Sequence, residues 1–98
     1  MKTYCIDIDG TICSNTNGDY KNAVPYKDRI NQINQLYDEG NNIIYFTARG
    51  YTTGIDWSKT TENQLENWGC KFHEFKIGKP FADIYIDDKA KDIFGWFD

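Results

Sequence analysis

Two aspartates follow the first apolar segment of the chain, which begins MKTYCIDIDGTI. Asp7 and Asp9 are succeeded at once by Gly10 and Thr11, a pair that ends an extended segment rather than continuing it. An unpaired carboxylate is costly to bury, so such a group stays solvated, finds a charged partner or holds a metal ion. The chemistry of these two carboxylates therefore depends on which other polar residues reach them.

Polar residues also mark the ends of two later apolar segments. Thr47 closes the segment NIIYFT, and Arg49 follows it by two residues. Asp87 and Asp88 close the segment ADIYI, and Lys79 precedes that segment. Ligands of parallel sheets bind beyond the carboxyl ends of the strands, so we expect these side chains to meet at one edge of a sheet.

The residue types at that edge indicate phosphate chemistry. Clustered carboxylates repel one another, and oxygen ligands suit Mg²⁺, which takes one or two carboxylates together with water and phosphate oxygens. One carboxylate can attack phosphorus and form an aspartyl-phosphate. A second acid can protonate the leaving oxygen and then activate water. Groups such as the Thr47 hydroxyl and the Lys79 ammonium can bind the remaining phosphate oxygens.

The four segments resemble the motifs of the haloacid dehalogenase superfamily. DIDGT at residues 7–11 is similar to the first motif, DxDGT, and Thr47 in YFTAR is similar to the second. Lys79 matches the third motif, and the acidic pair Asp87 and Asp88 in YIDDKA matches the fourth. The resemblance extends over nearly the whole chain.

This resemblance implies a role for each acidic residue. Asp7 would be the nucleophile, and Asp9 would be the general acid and base. Mg²⁺ would be the cofactor, bound by the Asp7 carboxylate, the Asp9 carbonyl oxygen and a carboxylate of Asp87 or Asp88. We favour Asp87 for the direct contact, although the adjacent pair leaves the choice open.

Substrate contacts are expected from residues around the same motifs. Thr47 and Lys79 would hold the phosphate oxygens and act in catalysis as well as in binding. Gly10 and Thr11 are further candidates for contact with phosphate, and Gly10 is expected to serve chiefly through its backbone geometry. Arg49 either grips the substrate or pairs with an acid.

The chain has no room for a cap domain, and the segment after Asp9, residues 10–25, has the size of a flap. The sequence is therefore similar to the capless subgroup, whose members act on macromolecules or close the site with a neighbouring subunit, so a homo-oligomer is one expectation. The stretches TARG to GIDW, TENQLENWG and HEFKIGKP to YIDDKA also resemble small phosphatase-like proteins encoded with bacterial capsule and surface-sugar genes. That resemblance implies a sugar phosphate as the substrate.

The leading interpretation is a Mg²⁺-dependent phosphomonoester hydrolase acting on a small phosphorylated metabolite, a sugar phosphate of surface polysaccharide synthesis. The alternatives are a nucleotide or nucleic-acid end phosphatase and a non-catalytic phosphate-binding or interaction domain. A receiver-type signalling domain also stores an aspartyl-phosphate. It is disfavoured because the nucleophile here follows the first strand and the last acidic pair has no counterpart there.

The composition of the chain limits the kinds of binding partner and the cellular location that we expect. The chain has 98 residues, a net charge of −4 and a pI near 4.8, which argues against nucleic acid or an anionic membrane as the main partner. No apolar run approaches the roughly 20 residues of a membrane span. The three cysteines are odd in number and lack CxxC spacing, which favours reduced thiols and a cytoplasmic location.

The pattern of apolar residues predicts an α/β fold. Strands and helices alternate, which indicates a mostly parallel sheet. We expect one three-layer, Rossmann-like domain over residues 1–98, with helices on both faces of the sheet and no cap domain. The predicted strands are Lys2–Ile8, Asn42–Thr47, Lys71–Ile77 and Ala82–Ile86, and the predicted helices follow Pro25 and cover Asp56–Trp68.

Several other residues are expected to have structural roles. His73, the single histidine, is expected to be structural or at the surface, and Asp56 is expected to cap a helix. Trp57 and Trp68 are expected in the core. The aromatic cluster near the C-terminus either packs on the sheet or forms a subunit contact, and it consists of Phe94, Trp96 and Phe97.

Overall fold

The structure is a computed structural model that describes residues 1–50, 53–78 and 81–86. Several predicted residues lie outside these ranges, namely Lys79, Asp87, Asp88 and the C-terminal aromatic cluster. The elements in chain order are β1 Thr3–Asp7, a short 3₁₀ helix Tyr20–Asn22, α1 Lys27–Asp38, β2 Asn42–Thr47, α2 Ser58–Asn67, β3 Glu74–Ile77 and β4 Ile84–Ile86.

The four strands form one parallel sheet in the order β3-β2-β1-β4. In the register between the two central strands, Asp7 pairs with Phe46, while Ile6 of β1 pairs with Ile86 of β4. The carboxyl ends of β1, β2 and β4 therefore lie along the same edge. This arrangement confirms the predicted α/β class and parallel sheet.

The helices and strands follow from where the apolar residues fall. Ile30 and Ile33 stand three residues apart on α1, and both are buried. The chain leaves α1 through Gly40, whose φ of +94° is a conformation that glycine adopts without steric cost. All of β2 from Ile43 to Thr47 is buried, as expected for a central strand covered on both faces.

The core consists of one cluster on each face of the sheet. The first-face cluster contains side chains from both helices, represented by Ile33 of α1 and Leu65 of α2, together with Ile6 and Tyr45 of the central strands. Full burial of each aliphatic side chain contributes about 1.5–3 kcal/mol. The second-face cluster consists of Cys5, Ile44 and Phe46, with Ala82 and Tyr85 packed against it.

Both described helices thus lie on the first face, so the described residues show two of the three predicted layers. Among these residues, no helix is long and apolar enough to cross a membrane.

Candidate active site

Asp7 and Thr47 end the two central strands and lie side by side at the carboxyl edge of the sheet. Asp7 pairs in register with Phe46, so Thr47 stands one residue beyond that pair. The Asp7 carboxylate accepts a hydrogen bond from the backbone N–H of Ile8 at 2.9 Å. Thr47 is 1% exposed, and its hydroxyl oxygen accepts the backbone N–H of Arg49 at 3.1 Å. The predicted placement of both residues is confirmed.

A tight turn follows β1 and returns the chain toward the sheet. The carbonyl oxygen of Ile8 accepts hydrogen bonds from the backbone N–H groups of Thr11 and Ile12 at 3.2 and 3.0 Å. Gly10 has a φ of +81°, which confirms that backbone geometry requires glycine there. Thr11 is fully buried, and its hydroxyl has no hydrogen-bond partner among the described residues. Neither finding tests whether Gly10 or Thr11 contacts phosphate.

Arg49 pairs with Asp9 through two hydrogen bonds. Its Nε donates to Asp9 Oδ2 at 2.8 Å, and its Nη2 donates to Asp9 Oδ1 at 2.7 Å. The Arg49 side chain has no exposed surface, whereas that of Asp9 is 19% exposed. Of the two roles expected for Arg49, the structure therefore shows the pairing with an acid.

The rest of the Arg49 guanidinium is also engaged within the protein. Nη1 donates to Thr61 Oγ1 at 3.1 Å and to Gln64 Oε1 at 2.6 Å, both on α2. The guanidinium carbon lies 4.6 Å from the centre of the Tyr20 ring, and Gln64 Nε2 donates to the Tyr20 carbonyl oxygen at 2.6 Å. These five residues, Asp9, Tyr20, Arg49, Thr61 and Gln64, form the Arg49 network, which joins the segments after β1 and β2, including the flap, to α2.

Sequence reasoning did not identify three members of this network. Thr61 and Gln64 lie three residues apart and therefore share one face of α2, a spacing that is visible in the sequence. A polar pair on a helix face that also buries Leu65 indicates an internal polar partner. Nothing in the local sequence marks Tyr20, because its contact with Arg49 depends on how the flap folds over α2.

The charges in the network stabilise each other. Burial opposes ionisation of the Arg49 guanidinium, but the hydrogen bonds to Asp9 and its negative charge outweigh that effect, so the pKa of Arg49 is raised. Because both partners are largely removed from water, separating them would leave an uncompensated buried charge. The network therefore fixes the orientation of Asp9.

Cys13 lies against the same carboxylate. Its thiol contacts Asp9 Oδ1 at 3.6 Å and the Ile8 carbonyl oxygen at 3.5 Å. Burial, followed by the nearby charge of Asp9, raises the pKa of the Cys13 thiol to about 12. At neutral pH this thiol stays protonated, so it is a poor nucleophile. All three cysteines are free, as expected for reduced thiols.

Two of the oxygen donors that were predicted to bind Mg²⁺ belong to described residues. No group of three or more metal-ligating side chains gathers within residues 1–50, 53–78 and 81–86. The Asp7 carboxylate and the Asp9 carbonyl oxygen are hard donors of the kind that Mg²⁺ prefers. Asp87 and Asp88 follow the end of β4 in the sequence and are outside these ranges, so their predicted ligation remains a prediction.

Comparison with known proteins supports the fold. No family model matches the chain, and no curated protein matches it significantly in sequence. The chain is similar to the crystal structure of a protein from Vibrio cholerae that is described only as an MCSG target. The two share 25% sequence identity and a TM-score of 0.74, over 99% of this chain and 97% of the other. The likeness supports the α/β fold and carries no statement about activity.

His73 has the structural role that was expected, whereas the N-cap residue of α2 is Trp57 and not Asp56, which stands one residue earlier. The rings of His73 and Tyr37 stack with their centres 4.6 Å apart. Nδ1 of His73 accepts a hydrogen bond from the backbone N–H of Ile43 at 3.1 Å. Asp56 accepts hydrogen bonds from the Ser58 hydroxyl at 2.6 Å and from the Ser58 backbone N–H at 2.9 Å, just before α2 begins. These two hydrogen bonds, the hydroxyl first, lower the pKa of Asp56.

The loop after β2 depends on Gly50. Its φ is +79°, and a Cβ atom there would lie 1.9 Å from the carbonyl oxygen of Ile55. Gly54 has a similar φ of +76° but nothing within 4 Å of such an atom. We therefore expect Gly54→Ala to lower the free energy of unfolding by about 1–2 kcal/mol and Gly50→Ala to lower it further. Urea unfolding of both variants measures the difference, and equal losses would contradict the close approach of Gly50 to Ile55.

Proposed function

We propose that the protein is a Mg²⁺-dependent phosphomonoester hydrolase that acts through an aspartyl-phosphate on Asp7. The observation that carries this proposal is the placement of Asp7 and Thr47 on adjacent parallel strands at the carboxyl edge of the sheet. Asp9 follows Asp7 by two residues and is held by two hydrogen bonds from Arg49. The resemblance of DIDGT and YFTAR to haloacid dehalogenase motifs supplies the role of each residue.

In the first half-reaction, a carboxylate oxygen of Asp7 attacks phosphorus. The bond between phosphorus and the leaving oxygen breaks, and Asp9 delivers a proton to that oxygen. The Thr47 hydroxyl already accepts a hydrogen bond from the backbone N–H of Arg49, so its own proton remains available to a phosphate oxygen. Lys79 is assigned the same task through its positive charge.

In the second half-reaction, water attacks the phosphorus of the aspartyl-phosphate. Asp9 takes a proton from that water as the new oxygen–phosphorus bond forms, and the Asp7 carboxylate is released. Bound Mg²⁺ would neutralise negative charge on the phosphate oxygens and on the acidic residues around them. Its ligands would be the Asp7 carboxylate, the Asp9 carbonyl oxygen and Asp87 or Asp88.

The Arg49 network constrains these proton transfers. Each carboxylate oxygen of Asp9 accepts one hydrogen bond from Arg49 and keeps a second lone pair that can carry a proton. We infer that Arg49 holds the carboxyl group of Asp9 in place while these remaining lone pairs take up and release the proton. Arg49 is therefore a positioning residue, since it acts on the reaction through Asp9.

We propose a small phosphorylated metabolite as the substrate, and a sugar phosphate in particular, on the basis of the resemblance to proteins of surface-sugar gene clusters. The free thiols favour a reducing compartment such as the cytoplasm. The net charge of −4 disfavours the runner-up, an enzyme acting on phosphorylated ends of nucleic acids, because such an enzyme needs positive charge along the backbone. We also propose a homo-oligomer that closes the site, because the sequence resembles the capless subgroup.

The ranking of substrates tests this proposal. Inorganic phosphate released from sugar phosphates, nucleotides and end-phosphorylated oligonucleotides is measured with Mg²⁺ and with EDTA. We expect release to require Mg²⁺ and to be fastest from sugar phosphates. Faster release from the oligonucleotides would assign the runner-up function instead, and release that is unaffected by EDTA would contradict the role of Mg²⁺.

A further inference from the structure

A small cavity lies between the flap and the loop that follows β2. Its volume is about 170 Å³. Gly18 and Tyr20 of the flap line one side, and Ala48, Ile55 and Trp57 are among the residues that line the other.

The cavity adjoins the candidate active site through two of its walls. Ala48 directly follows Thr47, the residue expected to bind phosphate. Tyr20 also lines the cavity, and its ring lies against the guanidinium of Arg49, which holds Asp9. A phosphoester bound beside Asp7 and Thr47 would therefore have this cavity within reach of the group that it carries.

The lining of the cavity indicates an uncharged occupant. The described residues that line it are aromatic, aliphatic or glycine, apart from Thr53, and none of them has a charged side chain. Small-molecule sites are commonly lined in this way, with apolar walls and a few polar groups. A second phosphate or a carboxylate would lose hydration there without gaining a charged side chain as its partner, which is energetically unfavourable.

The size and shape of the cavity indicate a single ring. A volume of about 170 Å³ is well below the roughly 300–1,000 Å³ of sites that enclose drug-sized ligands. The rings of Tyr20 and Trp57 meet edge to face, with their centres 5.0 Å apart and their planes at 81°. They therefore form no parallel slot of the kind in which a flat nucleobase stacks. One side of the Tyr20 ring is in addition covered by Arg49.

We propose that this cavity binds the organic part of the substrate and selects a neutral, single-ring group with the chemistry of a monosaccharide. The apolar C–H face of such a ring packs against Tyr20 and Trp57, while its hydroxyls face solvent and Thr53. The inference rests on the proposed function, because the group in the cavity is the one that leaves with the ester oxygen.

Ligand-observed NMR tests the inference without turnover. Saturation transfer from the protein is measured with EDTA for glucose 1-phosphate, uridine 5′-monophosphate and glycerol 3-phosphate at equal concentrations. We expect the strongest transfer to the ring protons of glucose 1-phosphate. The affinity for that ligand is expected to fall about tenfold in Thr53→Phe, whose ring fills the cavity. Thr53→Ser keeps the hydroxyl and the open cavity, so it is the matched control.

A second variant, Ile55→Ala, keeps the inference testable if Thr53→Phe does not fold. Ile55 is 55% exposed, so Ile55→Ala removes part of the cavity wall without opening the core, and it is expected to weaken binding of glucose 1-phosphate. Equal affinity of the wild type, Thr53→Phe and Ile55→Ala would overturn the inference. Stronger transfer to the base protons of uridine 5′-monophosphate than to any sugar ring would overturn it as well.

Phosphate release by the wild type with Mg²⁺, measured separately, distinguishes failure of this inference from failure of the proposed function. Ring binding that Thr53→Phe weakens about tenfold, without any phosphate release by the wild type, would support the cavity assignment and contradict hydrolysis. Phosphate release without ring binding would support hydrolysis and contradict the cavity assignment.

Discussion

Asp7→Asn is expected to abolish phosphate release while the protein remains folded. The amide lacks the negative charge of the nucleophile, so we expect the rate to fall by at least about 10⁴-fold. Asparagine keeps the shape of the side chain, and its carbonyl oxygen can still accept the backbone N–H of Ile8, as Asp7 does at 2.9 Å. The rate of phosphate release and the thermal unfolding midpoint are measured on the same preparation.

A matched control for Asp7→Asn is Asp38→Asn. It makes the same chemical change at an exposed carboxylate, which pairs with Lys71 at 2.8 Å far from the carboxyl edge of the sheet. Exposed pairs of this kind contribute about 0–1 kcal/mol, so we expect near-normal stability and phosphate release. Release by Asp7→Asn at the rate of Asp38→Asn would show that Asp7 is not the nucleophile.

Arg49→Met is expected to destabilise the protein strongly and to reduce activity. Methionine keeps an unbranched apolar stem but lacks the guanidinium, so the partly buried Asp9 carboxylate is left without its cation. Breaking a buried pair in this way costs about 3–5 kcal/mol, a large fraction of the roughly 5–15 kcal/mol by which small domains are stable. Urea unfolding measures the loss, and the rate of phosphate release reports the orientation of Asp9.

The control for Arg49→Met removes a cation from the surface. Lys71→Met breaks the pair between Lys71 and Asp38, whose side chains are 50% and 56% exposed, and it is expected to cost at most about 1 kcal/mol. Arg49→Lys keeps the charge but cannot make both hydrogen bonds to Asp9, so it should fall between the wild type and Arg49→Met. A loss in Arg49→Met no larger than that in Lys71→Met would contradict the structural importance of the network.

The central strands could be predicted closely because their signal is local. The segment Asn42–Thr47 is strand in the structure with the same bounds, since its apolar run is interrupted only at its two ends. By contrast, β3 begins at Glu74 rather than at Lys71. The backbone N–H of Lys71 donates to the side chain of Asn34 at 2.8 Å, so the residues before β3 are held by α1 instead of a neighbouring strand.

The positions of the strand-end residues of the site could be predicted from the sequence, but the contacts between side chains could not. Parallel topology places the residues at strand ends on one edge, so Asp7 and Thr47 could be placed together from the sequence alone. The partner of Arg49 was left open, because its contacts with Asp9 and Gln64 span 40 and 15 residues and depend on how α2 packs. Trp57 was expected in the core, yet it is only partly buried and lines the cavity beside the flap, where it meets Tyr20.

The most direct measurement of the central claim is detection of a phosphoryl group on Asp7. The wild type is mixed with Mg²⁺ and a phosphorylated sugar that it hydrolyses, quenched in acid during turnover, digested with pepsin at acid pH to preserve the acyl phosphate, and examined by mass spectrometry. We expect the peptide that contains Asp7 to gain one phosphoryl group at Asp7, and we expect EDTA or Asp7→Asn to abolish the gain. Sustained phosphate release by Asp7→Asn, with no phosphoryl group on that peptide in the wild type, would contradict it.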